Sequence, residues 1–97
     1  MELKLKNQKT TFDVEAVDGE LSLSGARCSI NVDNGEIAEF NAGISKKGEH
    51  AGHAYYSERN GRINNNVSDV SGAEYHVLHN FVHACIDEIK AQILSNN

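Results

Sequence analysis

One stretch with helical periodicity, Ser71–Leu94, sets the terms for the rest of the chain. Tyr75, Leu78, Val82, Cys85, Ile86, Ile89 and Ile93 recur at steps of three and four, which puts them on one stripe of a 3.6-residue helix. His76, His79, Asn80, His83, Asp87 and Lys90 fall on the opposite face. Ser71 and Glu74 have the spacing of a capping box, and Val70 and Tyr75 stand at its staple positions. Roughly 23 residues at ~1.5 Å each make a rod of about 34 Å, long enough to cross a small domain. A sheet is expected against that stripe.

The chain before this helix reads as strands and turns. Glu2–Lys6 alternates, with Leu3 and Leu5 on one side, and Asn7-Gln8-Lys9 is expected to turn it. Thr10–Val17 alternates again, placing Phe12, Val14 and Ala16 inward. Asp18-Gly19 carries the signature of a two-residue hairpin turn with positive φ. Glu20–Val32 changes phase: Leu21 and Leu23 point in on odd positions, then Ala26, Cys28, Ile30 and Val32 on even ones. A bulge or sharp bend at Ser24-Gly25 repairs that register and implies a curved sheet.

After a turn at Asp33-Asn34-Gly35, Glu36–Ser45 keeps Ala38, Phe40, Ala42 and Ile44 in phase. Lys46–Glu49 is a polar loop, and His50–Arg59 a strand that Gly52 weakens. Asn60-Gly61 is a second type I′ signal, followed by an exposed strand over Arg62–Val67 and, at the end, a frayed tail, Ser95–Asn97. Strands succeed one another without alternating helices, which argues against a parallel sheet. The expected fold is α+β: a curved antiparallel meander of five or six strands (about 2–67) packed on one C-terminal helix (about 72–94), in a single domain over 1–97. A partly closed barrel flanked by the helix is the competing architecture.

Ninety-seven residues with 39% apolar and 6% aromatic content, and no Trp, make a small aliphatic core. Such a core is thin for an isolated monomer and favours an oligomer or a partner. Fourteen acidic residues against nine basic ones leave a net charge of −5, which disfavours direct nucleic-acid binding. Cys28 and Cys85 both sit on inward positions and read as reduced core thiols. The N-terminus lacks the apolar core of a secretory leader, no apolar run has membrane-spanning length, and a cytoplasmic protein is expected.

The histidines are the cluster that chemistry could use. His79 and His83 are four apart on one helical face, and His50 or His53 could complete a zinc site with them. His76 and His83 are about 10.5 Å apart along the axis, too far to share one ion easily. The helix reads H-V-L-H and H-N-F-V-H, without the glutamate of the H-E-x-x-H metalloproteases. No nucleophile elbow or glycine-rich phosphate loop is present, and no catalytic set converges.

Two surfaces suit a protein partner. One is the helix face of His76, His79, His83 and Asp87; the other is the outer meander, where Asp13, Glu15, Asp18 and Glu20 form part of an acidic strip. Tyr55 and Tyr56, between Lys46-Lys47 and Arg59/Arg62, are a further candidate contact. The function expected from these features is non-enzymatic binding to a surface of a macromolecular partner, as an inhibitor or nucleic-acid mimic of the kind phages and mobile elements encode. A small zinc-binding or hydrolytic protein using the helix histidines, and a homo-oligomer that binds a small ligand between subunits, are the alternatives.

Overall fold

The computed structural model describes residues 1–6 and 8–94, with the Leu94 side chain left aside. The expected turn at Asn7 and the expected frayed tail at Ser95–Asn97 lie outside the described residues. Among the described residues, six strands precede one helix: β1 (Lys9–Val14), β2 (Val17–Asp18), β3 (Leu21–Asn31), β4 (Ile37–Lys46), β5 (Glu49–Arg59), β6 (Arg62–Ser68) and α1 (Tyr75–Leu94). They form an open antiparallel sheet in the order β1-β3-β4-β5-β6, with β2 also pairing β3. The helix packs on one face, so the α+β meander stands and the barrel does not.

The phase change in β3 is a bulge. Ser24 pairs Gly43 and Arg27 pairs Asn41, leaving two residues of β3 opposite one of β4. Gly25 takes φ +58° there, a conformation that costs glycine least. Ala38 of β4 and Ala51 of β5 are extra residues of the same kind. Three bulges bend the two long central pairings, and the sheet curves about α1.

The turns follow local chemistry with one shift. Asn60 and Gly61 both have positive φ, +52° and +78°, as a type I′ turn requires. Lys47-Gly48, expected as a polar loop, is a second two-residue turn with positive φ at both residues. The first hairpin turns at Gly19-Glu20 and not at Asp18-Gly19, because Asp18 pairs Leu21 in the ladder.

Two expected elements fail. Glu2–Lys6 forms no strand, and Leu3 and Leu5 stay 78% and 66% exposed; alternation makes a strand only where a sheet edge accepts it. The capping box at Ser71 does not form either. Glu74 is the N-cap, its carbonyl accepting the Leu78 amide at 3.0 Å, while its carboxylate accepts from Lys46 Nζ at 2.8 Å. A long-range ion pair has displaced the local cap.

The core lies between the sheet and α1. Phe40, Ile44, Ala54 and Tyr56 of the sheet meet Leu78, Phe81, Val82, Cys85, Ile86 and Ile89 of the helix. Phe81 joins the stripe, whereas Tyr75 remains 42% exposed at its start. Gly52 is buried, and a Cβ there would come 3.2 Å from Leu78 Cδ1 and 3.3 Å from the Ser68 carbonyl oxygen. The glycine that weakens β5 as a strand lets the helix approach closely there. Among the described residues, no helix is long and apolar enough to cross a membrane.

Candidate functional site

The two flanks of α1 are finished differently. On one side Glu58 of β5 closes the seam. Its carboxylate accepts the Ile37 amide at 2.8 Å, the Tyr56 hydroxyl at 3.0 Å and Lys90 Nζ at 2.7 Å. Only 10% of the Glu58 side chain is exposed. Burial pushes its carboxyl up, but the Ile37 amide, Lys90 and Tyr56 outweigh that and hold it below the usual carboxylate range. The Tyr56 hydroxyl is pushed up, first by burial and then by its bond to Glu58. The network holds the C-terminal half of α1 to β5, and its donors and charges are mutually satisfied.

The other flank is open. Beyond Val14 the edge strand kinks through Glu15 and Ala16 into the two residues of β2, with the Leu23 amide donating to the Ala16 carbonyl at 3.1 Å. A groove of about 210 Å³ runs between this edge and the helix, floored by Val14, Ala16, Phe81, Cys85 and Ile89. A second hollow of about 190 Å³, reaching Phe12 and Ile93, shares Val14, Glu15 and Ile89 with it and extends it along β1. Glu15 and Asp18 stand on the strand lip and Glu88 on the helix lip, all exposed. Burial, with the Asp18 charge added, pushes the Cys85 thiol up, which favours its neutral form. Among the described residues nothing pairs with the outer edge of β1.

The histidines do not meet. Ala54 and Tyr56 of β5 are buried beneath α1, so His53 and Tyr55, alternating with them, point to the opposite face of the sheet. His50 contacts Asp69 at 2.8 Å, and His83 contacts Asp87 at 3.4 Å. His79 packs on Tyr75 with ring centroids 4.4 Å apart. Its Nε2 and Asn65 Oδ1 are buried with no hydrogen-bond partner among the described residues. Among those residues no group of three or more His, Cys, Asp or Glu side chains could hold a metal ion. The expected set of His79, His83, His50 and His53 is not assembled, because β5 turns His53 away from the helix.

The expected partner-binding residues divide over three surfaces. His76, His83 and Asp87 are exposed on the outer side of α1, with His79 half-buried at its margin. Tyr55 is half-buried on the far face of the sheet. Tyr56 is 1% exposed and is a core residue, not a contact. Asp13 and Glu15 are exposed along β1 and its kink, and these belong to the groove edge. Lys46-Lys47 and Arg59/Arg62 lie at opposite ends of β5, about 33 Å apart at ~3.3 Å per residue, so they form no joint basic patch.

In a polar hollow near the start of α1, Lys46 pairs with Glu74 and His50 contacts Asp69. Sequence reasoning missed the Glu58 network and the groove. Glu58 follows Tyr56 by two residues, which puts both on one face of β5, but nothing local says that face is buried. No family model matches the chain, nor does any curated protein or any solved structure.

Proposed function

We propose that this protein is a non-enzymatic binding protein that holds an extended segment of a protein partner along the β1–β2 edge. The segment is apolar on one side and basic on the other. One observation carries the reading: an unpaired sheet edge runs beside an apolar groove whose lips bear Glu15, Asp18 and Glu88. An added strand gains main-chain hydrogen bonds from the edge and places alternate side chains in the groove. The acidic lips favour cationic residues between the apolar ones and repel phosphate backbones. Occupying such a segment on a larger partner is how a protein of this size would act as an inhibitor. The buried free thiols Cys28 and Cys85 suit a reducing, cytoplasmic setting.

Fluorescence-anisotropy titration tests the reading with two labelled peptides, one alternating Leu and Lys, the other Leu and Glu. The basic peptide should bind, weaken with added salt, and be lost in Glu15→Lys/Asp18→Lys. Equal binding of both peptides, or of neither by protein dilute enough to be monomeric, refutes the proposal.

A further inference from the structure

The chain carries a segment of the kind its own groove selects. Glu2-Leu3-Lys4-Leu5-Lys6 alternates apolar and mainly cationic residues, and every residue from Met1 to Lys6 is exposed. Leu3 and Leu5 are apolar side chains without a face to bury them. The groove on the open flank of α1 is an apolar slot with acidic lips and an unpaired edge. Building on the reading of that groove as a strand-binding site, we infer that the occupant is the Glu2–Lys6 arm of a second copy of this chain, exchanged reciprocally in a homodimer.

Three observations support the second copy. The first is charge: with Leu3 and Leu5 directed into the groove, Lys4 and Lys6 point to the other face of the added strand, beside an edge that carries Asp13 and Glu15. Opposite charges on adjacent strands are favourable, and like charges directly opposite are not. The second is reach. The chain enters the sheet at Gln8, whose carbonyl accepts the Val32 amide at 3.0 Å. If the arm folded back on its own strand through a two-residue turn, Lys6 would face Lys9 and Leu3 would face Phe12. Leu3 would then stop five residues short of Val17, roughly 16 Å at ~3.3 Å per residue. The part of the groove beside Val17, Phe81 and Cys85 is therefore out of reach of the chain's own arm in that pairing, whereas a second copy's arm is not tethered at Gln8 of this chain. The third is the edge itself. An unpaired strand end invites pairing with another chain, and here charge selects which one.

The arm contributes to the dimer and not to the fold of the protomer. Leu3 and Leu5 touch no core residue, so Leu3→Asp/Leu5→Asp leaves folding intact while placing negative charge against the acidic lips. Val17 is 78% exposed on the groove lip, and Val17→Lys acts from the other side in the same way.

The deciding experiment measures the mass of the full chain by light scattering after size exclusion. The wild-type protein should run at twice the chain mass. Leu3→Asp/Leu5→Asp and Val17→Lys should each halve it, with unchanged circular dichroism. Leu3→Cys/Val17→Cys, oxidised mildly with diamide, should give a covalent dimer on a non-reducing gel. A monomeric wild type, a dimer that survives both variants, or a disulfide within one chain overturns the inference.

The groove reading is separated from it by titrating full-length Leu3→Asp/Leu5→Asp with a labelled peptide of residues 1–8. If that variant binds the peptide although the wild type is monomeric, the groove selects such segments but the exchanged dimer is wrong. If it binds no peptide, both proposals fall.

Discussion

The two flanks of α1 are built from the same helix and sheet, yet one is sealed and the other is not. Toward β5, a buried carboxylate gathers a backbone amide, a phenol and an ammonium. Toward β1 and β2, an apolar slot is bordered by carboxylates that, among the described residues, have no cation across from them on the helix lip. Buried polar groups demand partners within the fold, so the sealed flank is a commitment of the folded state. An apolar groove with charged lips makes no such demand and is free to take another chain. On the proposed reading, stability and binding are divided between the two sides of one helix.

That division is broken most directly at Glu58. Glu58→Ala strands the Ile37 amide, the Tyr56 hydroxyl and the half-buried Lys90, and should cost about 3 kcal/mol. The urea midpoint measures it. A loss within the range of an ordinary surface substitution would mean that the network is decoration and that the flanks do not differ in kind.

A smaller effect follows from pH. Glu58 is held below its usual range. Its contribution is therefore complete above the unfolded carboxyl value of about 4.3 and is lost as pH falls through its folded value. At the alkaline end the signs reverse. Burial pushes the Cys28 thiol up to about 11, and burial with the Glu58 bond pushes the Tyr56 phenol up. Both favour the neutral form, so their contribution is complete below the unfolded values of about 8.5 and 10, and is lost as pH rises past them. Urea midpoints taken across pH should fall at both ends, and Tyr56→Phe should flatten the alkaline limb. An alkaline limb unchanged in that variant would assign it to the thiol.

The smallest effect on stability is expected on the open flank. Val17→Ser should stay within about 0.5 kcal/mol of wild type while weakening capture of the Leu-Lys peptide. If it unfolds the protein, the groove is part of the core and the contrast between the flanks disappears.

Local pattern was enough for much of the fold. The three-and-four spacing from Leu78 to Ile93 placed the helix, and the phase change around Gly25 marked a bulge or bend that the pairing with β4 makes a bulge. Asn60-Gly61 specified its own turn, because only φ at those two residues is at issue. Other features read the same way and came out differently. Glu2–Lys6 alternates as cleanly as Thr10–Ala16, yet only the second lies beside β3. Glu74 sits at a capping-box position but binds Lys46, twenty-eight residues away in the chain. Tyr56 reads as a surface aromatic and is in the core, while Tyr55 beside it is not.

Periodicity determined which residues share a face, since that depends on backbone geometry alone. Which face is covered, which edge is left unpaired and which charge finds a partner depend on distant segments packing together. Those were decided by where α1 lies across the curved sheet. It passes over β5 closely enough that a Cβ at position 52 would press on Leu78 and the Ser68 carbonyl, and it leaves the β1–β2 edge standing apart from its other side.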